Sequence, residues 1–272
     1  MGLPSPGPGP GVIVTSSRDG RVSREELAAL ARELGTVVVP RDDRPWPELL
    51  KRYGAQAALV LEKDGLVLRD AAGTLFFHPG MAHVRIKRLR EGQSDRMVAA
   101  MDLSPGMTVL DCTLGLGADA IVAAYAVGSA GRVAGLEACA PLAALVRYGL
   151  THYRGGTWLS EAMGRIEVAA GDHRRVLPRL PDGSYDVVYF DPMFRRPLVR
   201  SSGMAPLRHL VETAPLDPRS VAEALRVARR RVVLKERRDS AEFARLGFIP
   251  AEGGRYSPVA FGVRKKERGE TA

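Results

Sequence analysis

Apolar residues along this chain fall into two successive patterns. The first begins at Val12 and builds short, mixed elements. Val12–Thr15 predicts a strand, and Ser23–Leu34 predicts a helix opened by a capping box of Ser23 and Glu26. Thr36–Val39 reads as a β-branched strand stopped by Pro40, and Trp46–Tyr53 as a helix. Ala57–Glu62 and Leu66–Arg69 read as a hairpin around Lys63–Gly65. Together they predict a small N-terminal α/β domain over residues 12–80. In His83–Arg96, the cations Arg85, Lys87, Arg88, Arg90 and Arg96 stand against Glu91 and Asp95. Residues 81–106 therefore read as a basic connector with a helix over Ser94–Met101.

The second pattern starts at Met107, where apolar strands alternate with helix-length segments. Thr108–Leu110 is a strand ending at Asp111, Asp119–Val127 a helix, Arg132–Leu136 a strand ending at Glu137, and Pro141–Leu150 a helix. Ile166–Ala169 is a strand followed by Asp172, and Asp186–Phe190 a strand ending at Asp191. Val221–Ala228 reads as a helix and Arg231–Leu234 as a strand, and Phe248–Ile249 with Tyr256–Val263 as a terminal antiparallel hairpin. Such alternation predicts an α/β fold with a parallel, Rossmann-like sheet over 107–265, helices on both faces and right-handed crossovers. Residues 1–11 and 266–272 read as tails.

Composition narrows the function classes. Of 272 residues, 26% are charged, and 40 Lys and Arg against 31 Asp and Glu leave a net charge of +9. That balance suits a partner that is a polyanion and argues against an acidic, disordered chain. Cys112 and Cys139 are too few for a disulfide scaffold or a four-thiolate zinc site, and suit a reducing cytoplasm. No metal site is expected. The apolar stretch Ala120–Gly131 is too short to span a membrane, and Pro4, Pro6, Pro8 and Pro10 spoil a signal-peptide core.

Ligands of open α/β sheets bind beyond the carboxyl ends of the strands. Here four successive strands end at or near an acid: Asp111, Glu137, Asp172 and Asp191. In VLDCTLGLGADA, residues 109–120, Gly115 and Gly117 allow a tight turn and close backbone approach. Glu137 is placed to accept hydrogen bonds from both ribose hydroxyls of an adenosine. GLGADA also fits a dinucleotide loop. Asp111 separates the two cofactors, because a carboxylate repels a pyrophosphate but welcomes the sulfonium and ammonium of S-adenosylmethionine. Asp119 reads either as a contact to that cofactor or as an acid complementing a helix dipole. Asp172 reads either as an acceptor for the adenine amino group or as a helix N-cap, with His173 beside it as a surface or cap residue.

DVVYFDPMF, residues 186–194, carries the second signal. An exocyclic amine on a nucleobase is a poor nucleophile, because its lone pair is delocalised into the ring. The Asp191 carboxylate and the Pro192 carbonyl can accept its two protons and orient the nitrogen, while Phe194 stacks on the base. Arg195, Arg196 and Arg200 follow directly. Arg226, Arg229, Arg230, Arg231, Lys235, Arg237 and Arg238 surround the next strand. Arg195, Arg196, Arg200 and Lys235 are the candidates for a nucleic-acid groove.

DCTLGLGADA, LEACAPLAALVRYGL, WLSEAMGRIEV, DVVYFDPMF and RRVVLKERRD together resemble the bacterial RsmJ-type small-subunit ribosomal RNA guanine-N2 methyltransferases, over residues 75–265. The resemblance implies a seven-stranded class I methyltransferase sheet, S-adenosylmethionine as cofactor and N2-methylguanine in ribosomal RNA as product. It places cofactor contacts on Ala118, Asp119, Glu137, Ala138, Asp172, His173 and Asp191. The chain departs from that pattern at Arg195-Arg196-Pro197, where the family has Pro-His and lysines, and at Ala138-Cys139, where an arginine is usual. Residues 12–75 look more like a separate group of bacterial methyltransferase-like proteins. The sequence therefore predicts amine methylation of ribosomal RNA. Its alternatives are an amine methyltransferase acting on transfer RNA, DNA adenine or a protein amide, an NAD-dependent oxidoreductase, and a non-catalytic RNA-binding protein.

Overall fold

In the computed structural model, which describes residues 11–18, 22–192, 214–251 and 257–266, the two sequence patterns become two sheets. The first region contains β1 (Val12–Ser16), α1 (Arg24–Glu33), α2 (Trp46–Arg52), β2 (Ala57–Glu62), β3 (Gly65–Asp70) and β4 (Thr74–Phe76). Its strands lie in the order β1-β2-β3-β4, with β1 parallel to β2 and the remaining pairs antiparallel. Ser23 caps α1 by accepting the Glu26 N–H at 3.2 Å, as the capping box predicts. Thr36–Val39 forms only a single bridge, Val14 to Val38, rather than a strand. It leaves the end of α1 directly and meets Pro40, which cannot donate to a ladder.

The stretch read as a basic connector is largely helical: α3 (Gly80–Arg90) and α4 (Arg96–Met101). Ala82 and Ile86 bury one face of α3, and the Asp95 side chain caps α4. Next come β5 (Thr108–Asp111), α5 (Ala118–Val127), β6 (Arg132–Glu137), α6 (Ala140–His152), α7 (Thr157–Met163), β7 (Ile166–Ala170) and α8 (His173–Val176). The chain continues through β8 (Tyr185–Phe190), α9 (Pro218–Val227), β9 (Ala228–Arg237), α10 (Glu242–Arg245), β10 (Ile249–Pro250) and β11 (Val259–Lys265). Their seven strands take the order β10-β11-β9-β8-β5-β6-β7, parallel except for β10 and β11.

One apolar cluster fills the space between this sheet, α5 to α7 and the small sheet. A second lies on the opposite face under α9 and α10, and a third backs the small sheet with α2. The small sheet is thus joined to α6 by a common core. Among the described residues no helix is long and apolar enough to cross a membrane. Strand order reverses between β5 and β8, and the crevice at such a reversal is where a ligand enters an α/β sheet.

Candidate functional site

The loop after β5 is shaped by its glycines. Gly115 and Gly117 have φ of 52° and 78°, a region that side chains disfavour, and Gly117 is the N-cap of α5. A Cβ built on Gly115 would meet no atom within 4 Å, so the loop faces open space at the strand ends. Leu114 N–H donates to Leu136 O at 2.9 Å, and Cys112 N–H to Tyr189 O at 2.9 Å, which tie the loop to both neighbouring strands.

Glu137 ends β6 and is buried. Its two carboxylate oxygens accept the N–H of Gly115 and of Cys139, each at 2.9 Å. Burial pushes its pKa up to about 7, while those backbone donors and the Ala138 N–H pull the other way. Asp111, 2% exposed, accepts the Thr113 N–H at 3.0 Å. Burial, reinforced by Asp119 and Asp191, holds it well above the ordinary carboxylate range.

Asp191 follows β8, across the crevice. Its N–H donates to Thr113 Oγ1 at 2.6 Å, and its Oδ2 accepts Lys235 Nζ at 2.6 Å. Burial raises its pKa to about 6, with Lys235 opposing and Asp119 reinforcing the rise. Asp119, in the first turn of α5 after Ala118, takes hydrogen bonds from Lys235 Nζ at 2.9 Å and Tyr189 Oη at 2.7 Å, and a third from Arg85 Nη1. Burial alone would raise its pKa, but Lys235 and Arg85 outweigh it and hold Asp119 well below the usual range.

The structure therefore brings Asp111, Gly115, Gly117, Ala118, Asp119, Glu137, Ala138, Asp191 and Pro192 to one rim. Asp119 is more than the dipole partner or cofactor contact the sequence offered: protein donors occupy its carboxylate. Asp172 is the N-cap of α8, accepting the Arg174 N–H at 2.9 Å and gripping the Arg174 side chain. His173 packs edge-on against Phe190, with ring centroids 5.4 Å apart.

Lys235 differs from the phosphate-facing cation expected of it. Its ammonium is engaged between two carboxylates. Arg229, Arg230 and Arg231 lie at the opposite, amino-terminal end of the strands, where Arg231 pairs with Val187. There they bind Asp186 and Asp102. Phe194, Arg195, Arg196 and Arg200 lie outside the described residues. Sequence reasoning missed Arg85, Thr113 and Tyr189. Tyr189 alone left a signal, two positions before Asp191 and hence on the same face of the strand.

A sheet of this order, with a glycine loop after its first central strand and an acid ending the second, defines a class I S-adenosylmethionine-dependent methyltransferase. A family profile described as "Putative SAM-dependent methyltransferase" matches residues 47–246, and the chain belongs to that family. It is 42% identical over 239 residues to the uncharacterized protein YpiP of Bacillus subtilis, covering 87% of this chain and 93% of that one. It is 34% identical over 199 residues to ribosomal RNA small subunit methyltransferase J of Pseudomonas syringae pv. tomato, covering 68% of this chain and 71% of the relative. The Coxiella burnetii protein of the same name is 30% identical over 233 residues, covering 84% and 87% of the two chains. A SAM-dependent methyltransferase of Neisseria gonorrhoeae shares the fold, with a TM-score of 0.64 at 22% identity over 94% of this chain and 96% of that one.

Proposed function

We propose that this methyltransferase modifies the exocyclic N2 amine of a guanine in small-subunit ribosomal RNA. The observation that carries the reading is the position of Asp191-Pro192. It follows the strand next to the glycine loop, so an amine held there lies beside the cofactor rim. The two methyltransferase J relatives support the choice of ribosomal RNA.

The rim fits S-adenosylmethionine, which supplies an electrophilic methyl group when bound. The open loop at Gly115 admits a close-lying ligand, and the Glu137 carboxylate sits against it on the Gly115 N–H. Glu137 accepts backbone N–H groups from Gly115, Cys139 and Ala138 and keeps acceptor capacity for a ribose hydroxyl. Asp111 adds a carboxyl group at the same rim. Asp191 and the Pro192 carbonyl accept the two amine protons and point the nitrogen lone pair at the methyl carbon. As the nitrogen–methyl bond forms and the methyl–sulfur bond breaks, the nitrogen holds two protons and a positive charge; Asp191 takes one of them and leaves the neutral methylamino group. The acceleration comes from orientation and proton acceptance at one carboxylate. Lys87, Arg88 and Arg90 on the exposed side of α3 supply phosphate contacts for the RNA.

The test is transfer of labelled methyl to ribosomal RNA from a strain lacking the gene, followed by mass spectrometry of the nucleosides. N2-methylguanosine is the expected product. Label on transfer RNA, DNA or protein instead, with ribosomal RNA unlabelled, would reject the assignment.

A further inference from the structure

A series of alternating charges runs from the connector helices to the acceptor loop. Asp95, the N-cap of α4, accepts Nε and Nη2 of Arg85 at 2.8 and 2.9 Å. Arg85, on α3, extends Nη1 to Asp119 Oδ1. Lys235 Nζ then bridges Asp119 Oδ2 and Asp191 Oδ2 at 2.9 and 2.6 Å. The side chains of Arg85, Asp119 and Lys235 are only 19%, 12% and 23% exposed. As a stability device such a shielded series is a poor choice, because desolvation offsets much of the Coulomb attraction. What it supplies is a fixed place for each oxygen.

We infer that Lys235 is a positioning residue for methyl transfer: it holds Asp191 by Oδ2, turns Oδ1 to the acceptor amine, and is itself held by Asp119 and Arg85. The inference rests on the reading of Asp191 as the amine acceptor. Asp191 is fixed from two sides, its backbone by Thr113 and its carboxylate by Lys235. The charged and titratable groups facing it are Asp111 from β5, Asp119 from α5, Tyr189 from β8 and Lys235 from β9. Among the described residues Lys235 is the cation in contact with it, and the ionised state of Asp191 depends on that ammonium. Through Arg85, the connector helices become part of the active site.

The experiment compares Lys235→Met and Lys235→Arg in the full chain, with aspartate carboxyl carbons labelled and Asp191 assigned from Asp191→Asn. Loss of the ammonium should raise the Asp191 titration midpoint by about 1–3 pH units, and Lys235→Arg should leave it near its starting value. The acidic limb of methyl transfer to ribosomal RNA should move by the same amount. At pH 7, kcat should fall about tenfold or more with little change in KM for S-adenosylmethionine. Lys235→Gln repeats the measurement if Lys235→Met does not fold. A midpoint that stays put while Asp191→Ala is inactive would overturn the role of Lys235 alone. An active Asp191→Ala would instead overturn the acceptor reading on which it rests.

Discussion

Glu137 Oε2 accepts the Gly115 N–H at 2.9 Å, so the acid that ends β6 also holds the glycine loop that follows β5. One carboxylate thus shapes the loop and faces the space in front of it. Glu137→Ala should lose both contributions. We expect affinity for S-adenosylmethionine to fall about tenfold or more by calorimetry, about 1.4 kcal/mol for each factor of ten. Glu137→Gln keeps an acceptor and should lose less.

The pH dependence of cofactor binding should follow the same group. Burial raises the Glu137 pKa to about 7 in the free protein. A cationic ligand bearing two hydroxyl donors prefers the anion, so binding lowers that pKa and expels a proton. Affinity should therefore rise with pH through about 7. Calorimetry near that pH in buffers of different ionisation enthalpy should register proton release, and equal heats would contradict it.

Turnover should respond to Asp191. Its pKa of about 6 places an acidic limb there, with activity retained above and lost below as the carboxylate is protonated. Asp191→Ala should reduce methyl transfer by about 10²–10⁴-fold while cofactor binding survives in part. A rate within a fewfold of the parent would remove the assigned role.

A stability prediction concerns Gly149 on α6. A Cβ there would overlap Cβ, Cγ and Cδ1 of Phe77, the residue after β4. Gly149→Ala should cost about 1–3 kcal/mol through overpacking, seen as a lower denaturation midpoint with an unchanged m-value.

The strand-end acids were legible because an apolar run that stops at a carboxylate is visible in one dimension. Asp111, Glu137 and Asp191 all show it, and the sheet order confirms the fold those runs imply. At Asp172 the sequence left an adenine acceptor and a helix N-cap both open. A strand-end acid and a helix N-cap look alike in sequence, and here the acid lies two residues beyond β7 and caps α8. Arg85 was hidden for a different reason. It sits in a run of cations, and only the packing of α3 against α5 turns it inward while Lys87 and Arg88 stay exposed. The three-residue β4 was too short for its period to register, and α7 follows Gly155-Gly156, a pair that reads as a turn.

The core that joins the small sheet to α6 bears on how the chain can be divided. Phe77 lies against α6, and Arg147 of that helix reaches back to Glu33 of α1. Cutting before Met107 would strip an oily flank bare, and the catalytic half would be expected to clump. The leading segment works like the lining of a glove, with no binding task needed to explain why the two halves stay together.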